Sequence, residues 1–185
     1  MAKIQTEQLG TLNDLLHNRE KQVRQAIAHL SIREVKEERK FTETVTRLKE
    51  HLLLNPVTIE EPTIGSYSTI IRKKRGDTYE RMINLISVHF PFTGNKELFS
   101  YCADNISGEV FSIYTPDLGN VITIRIELER LDKANAVRQA KGELQTTEKF
   151  ISQNNEQVKS WAKNAETTIE SLAFQKRREL VDLYC

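Results

Sequence analysis

Six apolar residues, Val137, Leu144, Ile151, Val158, Ala165 and Leu172, stand seven apart throughout the last third of the chain. A strand repeats every two residues, so a strict repeat of seven specifies a long helix whose apolar seam faces another helix. The complementary positions, Ala140, Thr147, Asn154, Trp161 and Thr168, are mostly polar. That weakens the seam and directs it into a bundle, or against a helix elsewhere in the chain, rather than into a self-sufficient dimer. Gly142 costs about 1 kcal/mol relative to alanine inside a helix, which makes it a candidate break.

A second helical stripe occupies the first segment. Leu9, Leu12, Leu16, Val23, Ile27, Leu30, Phe41, Val45, Leu48 and Leu52 recur at helical intervals. Thr11 with Asp14 reads as an N-terminal cap, and Asn55-Pro56 as a stop, because the residue before proline is pushed out of the α region. Ser31-Ile-Arg-Glu34 repeats the capping pattern and marks a kink or a division into two helices.

Between the helical segments lie strand-like runs at 57–61, 66–74, 79–90, 97–103, 109–115 and 121–129, separated by Gly, Pro, Asn and Asp. Turn residues at such short intervals favour antiparallel neighbours, since parallel ones need a crossover of about a dozen residues. In the last run Ile122, Ile124, Ile126 and Leu128 alternate with Thr123, Arg125, Glu127 and Glu129, giving one buried and one wet face. The expected fold is therefore α+β: an antiparallel β-meander of about five or six strands, flanked by long amphipathic N- and C-terminal helices that pair as a coiled-coil-like hairpin or bundle. The segments are 1–55, 56–129 and 130–185, in one folding unit. In order of elements the chain resembles prefoldin-type chaperone subunits, whose two helices join through β-hairpins; the resemblance implies a helical hairpin with a β-rich head.

Composition narrows the classes of function. The net charge of +1 divides into slight excesses of Lys and Arg in both helical segments and of Asp and Glu in the middle, too small to act as a field on a polyanion. Two cysteines, Cys102 and Cys185, build neither a disulfide framework nor a cysteine zinc site within one chain. The first residues hold no signal-peptide core and no run of 18 apolar residues occurs, so a soluble, cytoplasmic protein without a membrane role is expected.

Three clusters invite chemistry. Arg72, Lys73, Lys74 and Arg75 fall at a hairpin turn, where they form either a basic finger for phosphate, with Tyr67 or Tyr79 to stack on bases, or the solvated guard of a strand end. Asp117, Glu127 and Glu129 resemble the PD-(D/E)xK nuclease pattern, which implies Mg²⁺-dependent phosphodiester hydrolysis; Glu129 stands where lysine is usual, and a polar strand face accounts for the same residues. Arg24 and His29 resemble the R-x4-H pair of HEPN-type ribonucleases, although residues five apart on a helix do not face one another. His17, His51 and His89 have no metal-ligand spacing.

These readings converge on a non-enzymatic protein–protein interaction or scaffold subunit, working as a homo-oligomer or within a complex. Its partner-binding residues are Val137, Leu144, Ile151, Val158, Trp161 and Leu172, and no cofactor or small-molecule ligand is implied. The alternatives are a nucleic-acid-binding module through Arg72 to Arg75 and a metal-dependent nuclease through Asp117, Glu127 and Glu129.

Overall fold

The N-terminal segment opens with two short strands, β1 (Lys3–Gln5) and β2 (Gly10–Thr11), before three helices, α1 (Leu12–Ala28), α2 (Ile32–Val35) and α3 (Glu38–Leu52). This computed structural model describes residues 3–72, 80–106, 110–116 and 119–184. One long N-terminal helix is thus replaced by a helical hairpin with a short turn of helix at its bend. The Ser31 signal is the cause: the Glu34 carboxylate accepts from the Ser31 N–H at 3.0 Å and from its hydroxyl at 2.8 Å, which starts a new helix. Thr11 caps α1 through the Asp14 N–H at 3.2 Å, and α3 ends just before Asn55-Pro56.

The remaining elements are β3 (Thr58–Ile59), β4 (Thr63–Arg72), β5 (Arg81–Thr93), β6 (Tyr101–Cys102), β7 (Ser112–Tyr114), β8 (Val121–Leu128) and α4 (Lys133–Tyr184). The main sheet is antiparallel with β5 at its centre. β8 lies along one side, and β3 followed by β4 along the other. The register on that second side slips between Ile64 and Tyr67. Gly65 sits at the slip because a Cβ there would lie 1.9 Å from His89 Nε2.

The two middle runs do not extend this meander. Residues Lys96–Ser100 form a 3-10 turn, after which β6 pairs in parallel with β2, while β7 pairs antiparallel with β1. Of the expected meander of about five or six strands, four form the main sheet; the 97–103 run leaves it because Leu98, Phe99, Cys102, Ala103 and Ile106 are all buried. An apolar run without alternation specifies burial but not a strand. These short pairings fasten the chain's beginning to the head.

All 52 residues of α4 form one helix, about 78 Å long at the usual rise. Asp132 starts it, its carboxylate accepting from the Asn135 N–H at 2.9 Å. Gly142 does not interrupt it. The glycine is exposed, whereas Ala140 and Leu144 on either side are fully buried, so packing outweighs its intrinsic cost.

The helix runs through two apolar clusters. In the head, Ala136, Ala140, Leu144 and Phe150 join Ile86, Val88, Phe90, Ile122, Ile124 and Ile126. Further along, Ile169 and Ala173 join Val23 and Ile27 of α1, Leu30 of the following turn, Val35 of α2 and Phe41 of α3. α1 runs parallel to α4, with Asn13 bonded to Gln157 and Ile27 beside Leu172, and α3 runs antiparallel to it, with Lys49 bonded to Glu166 and Glu170 and Glu38 to Arg177.

Candidate functional site

The heptad seam is occupied within the chain. Leu144, Ile151, Val158 and Trp161 are buried, and Val137 and Leu172 are half-buried against the same clusters. Its polar members bind backbone rather than another helix. Thr147 Oγ1 accepts from the Tyr114 N–H at 2.9 Å. Asn154, fully buried, accepts from the Ala103 N–H at 2.9 Å and donates to the carbonyls of Leu98 and Tyr101 at 2.9 and 2.8 Å. Asn155 makes a paired contact with the N–H and carbonyl of Val57 at 2.8 and 2.6 Å. These bonds satisfy the irregular 98–103 segment and the loop after α3, which have no ladder partners of their own at those groups. Only the break in the apolar repeat hinted at them.

Ion pairs lock the same arrangement from outside. Arg19 meets Glu97 at 2.5 Å between α1 and the head, and Arg177 meets Glu38 at 2.5 Å between α4 and α3. Lys49 lies between Glu166 and Glu170, and bonding to both carboxylates holds its pKa above the ordinary lysine value. Phe174 is half exposed but stacks edge-on against Phe41, at 5.0 Å between ring centres. Trp161 joins the head cluster with its indole N–H buried and without a hydrogen-bond partner.

Two of the chemical clusters meet on the wet face of the sheet. Arg72 is bound by both guanidinium nitrogens to Glu127, each at 2.7 Å, across the wet face of the sheet. Glu129 lies 3.7 Å from Arg81. Each of these two carboxylates therefore has a cation of its own. Asp117 lies outside the described residues, as do Lys73, Lys74 and Arg75. Arg24 lines a small cleft with Glu20, Asn164 and Thr168, and His29 stands beyond the end of α1. Among the described residues no three His, Cys, Asp or Glu side chains are grouped to hold a metal ion, and no helix is long and apolar enough to cross a membrane. A shallow cavity of about 420 Å³ between α2 and α3 is lined by Arg33, Glu34, Lys40, Glu43 and Arg47. Most of its charges are paired: Glu34 with Arg47, Lys40 with Glu37, and Glu43 with Arg39.

A different surface stands out once the seam is accounted for. Directly opposed residues of an antiparallel pair share a face. Ile64 opposes Val88, Tyr67 opposes Ile86, and Ile71 opposes Met82. Val88 and Ile86 are fully buried in the head, so this is the core-facing side of the sheet. Yet Ile64, Tyr67, Ile71 and Met82 are 38%, 57%, 65% and 68% exposed. For Ile71 and Met82 the ladder explains this, because β8 pairs with β5 only as far as Asn84, whereas Ile64 and Tyr67 lie beside paired rungs on the outermost strand. The rungs Ile70–Ile83, Ile71–Met82 and Arg72–Arg81 project beyond the end of β8. A polar rung divides the apolar row: Thr69 Oγ1 lies 3.3 Å from Asn84 Oδ1, and Asn84 donates to the carbonyls of Leu128 and Glu129 at 3.3 Å. Among the described residues, β4 pairs with no strand on its outer edge.

The hairpin of β4 and β5 is thus an arm with an open edge and an apolar face. Comparison with protein-family models, with curated proteins and with solved structures finds no match to this chain.

Proposed function

We propose that the chain is a non-enzymatic association subunit that joins other protein chains through the arm formed by β4 and β5. One observation carries the reading: four large apolar side chains continue the core-facing side of the sheet into solvent. On the two sides of the Thr69–Asn84 rung they expose together on the order of 400 Å², within the range of the largest apolar patch of a typical monomer, which is often functional. The long helices supply a rigid body rather than the contact, since their apolar stripe is consumed internally. Ile71 and Met82 sit on regular, paired strands, which hold binding residues more precisely than loops do.

The test is the size at which the tagged chain travels in a native extract of the cells that express it. The reading predicts an assembly larger than the 21.4 kDa chain. The double substitution Ile71→Lys/Met82→Lys, which replaces two mostly exposed side chains, should release the chain from that assembly while leaving its melting temperature unchanged. An assembly that keeps the variant, or a wild-type chain that travels alone, refutes the reading.

A further inference from the structure

We infer that the cavity between α2 and α3 binds a small polar phosphate monoester, such as a sugar phosphate, through Arg33, Lys40, Thr44 and Arg47. The site lies on the helical hairpin and is independent of the arm.

The break between α2 and α3 makes the site. On one unbroken helix Arg33 and Arg47, fourteen residues apart, would stand about 21 Å from each other. Here both line one cavity of about 420 Å³, within the usual range for small-molecule sites. Lys40, Thr44 and Arg47 succeed one another by four and three positions along α3, so they share a face. Glu34 and Glu43 complete the lining.

Two of these groups have nothing to bind within the described chain. Thr44 is only 6% exposed, yet its hydroxyl has no hydrogen-bond partner among the described residues. Buried hydroxyls are normally bonded, so this one retains a donor for whatever enters the cavity. Arg33 has no carboxylate partner among the described residues, and it is the unbalanced charge, since three cations line the cavity against two carboxylates.

The other charges are engaged in ways that leave them available. Arg47 reaches Glu34 through one nitrogen at 3.3 Å, and Lys40 reaches Glu37 at 2.7 Å. Both are exposed pairs, which contribute little and leave most of the N–H groups of either cation unused. The two lining carboxylates have donors of their own, Glu34 in Ser31 and Glu43 in Arg39 at 2.9 Å, so their repulsion of an incoming anion is reduced.

Donor type selects the ligand. Two guanidinium forks, an ammonium and a hydroxyl outnumber the two oxygens of a carboxylate and suit the three terminal oxygens of a phosphate monoester. The cavity is larger than that group, which leaves room for the esterified part. None of its lining residues is aromatic, and the stacking surface that a nucleobase uses is missing, so a polar group such as a sugar is favoured.

Isothermal titration calorimetry of the full chain with glycerol phosphate and ribose phosphate tests this, with glycerol, ribose, acetate and inorganic phosphate as controls. Both esters should bind, more tightly than inorganic phosphate and more weakly as salt is raised, and glycerol, ribose and acetate should give no binding heat. Arg33→Gln and Thr44→Val should each weaken the esters by about tenfold or more, the loss of a charge-assisted bond, with thermal melting to show that the variants fold. Arg33 is exposed, so its variant tests the site even where Thr44→Val does not fold. Glu43→Gln removes a lining negative charge and should tighten binding severalfold, a gain that a damaged fold does not produce.

No heat from either ester at millimolar concentration overturns the inference. So does ester binding that ignores Arg33→Gln and Thr44→Val, since the site would then lie elsewhere. Inorganic phosphate that binds as tightly as the esters would show an adventitious ion only and overturns the assignment of an ester.

Discussion

Replacing Asn154 with leucine isolates what the polar interruptions of the seam do. Leucine nearly matches the side chain in size, so packing along α4 is preserved while three hydrogen bonds are lost. The Leu98 carbonyl and the Ala103 N–H belong to fully buried residues, and each unsatisfied group of that kind costs about 1–3 kcal/mol. The Tyr101 carbonyl belongs to a half-buried residue that water can reach, and its loss costs less. The expected destabilisation is about 4 kcal/mol, a large part of the roughly 5–15 kcal/mol that holds a domain folded. Urea unfolding followed by the fluorescence of Trp161, the single tryptophan and itself buried, reads this directly. The midpoint should fall with little change in slope, and Ser152→Leu, exposed on the same helix, should leave it near wild type. A loss below about 1 kcal/mol would show that these groups find other partners, and the idea that Asn154 welds the head to α4 would be wrong.

Other outcomes follow from single residues. Gly142→Ala should stabilise by about 0.5–1 kcal/mol, because a Cβ there meets nothing within 4 Å and the helix already runs through it; a loss of stability would mean that the helix bends at this point. Gly65→Ala should destabilise by about 1–3 kcal/mol, since the His89 ring must leave its 3.0 Å contact with Thr123, and chemical denaturation measures it. The hydrogen bonds from Ser31, first that of its backbone N–H, hold the Glu34 carboxyl below its ordinary pKa. A depressed carboxyl stabilises fully above its unfolded value of about 4.3 and loses that contribution as pH falls through the folded value. Glu34→Gln should therefore flatten this part of the acid unfolding curve, and a variant as acid-sensitive as wild type would remove the capping box from the account.

Patterns in the chain were legible where one local cause decides. The heptad forced α4, Thr11 and Ser31 started helices, Asn55-Pro56 closed one, and the alternation of 121–128 placed β8 with its apolar residues inward. What covers an apolar stripe is a different matter, because Ile151 and Val158 would look the same facing a second chain or their own head. The strands β1, β2 and β6 are two or three residues long, too short for any period to show. Asn154 reads as a flaw in a seam and Asn155 gives no signal, since their backbone partners lie about 50 to 100 positions away. The arm was half visible. Its basic residues drew attention, while the apolar row beside them became meaningful only when the ladder showed where β8 stops.

Inside and outside are exchanged in this molecule: the regular seam is interior, and the arm carries apolar side chains in solvent. Thermal unfolding of Ile151→Lys and Ile71→Lys, side by side in dilute solution, separates the two. Ile151 is 3% exposed and Ile71 65% exposed. A lysine at the first position buries an unpaired charge and should abolish cooperative melting or lower it steeply, whereas at the second it should melt within a few degrees of wild type. An Ile151→Lys protein that melts like wild type, or an Ile71→Lys protein that does not fold, would contradict the account.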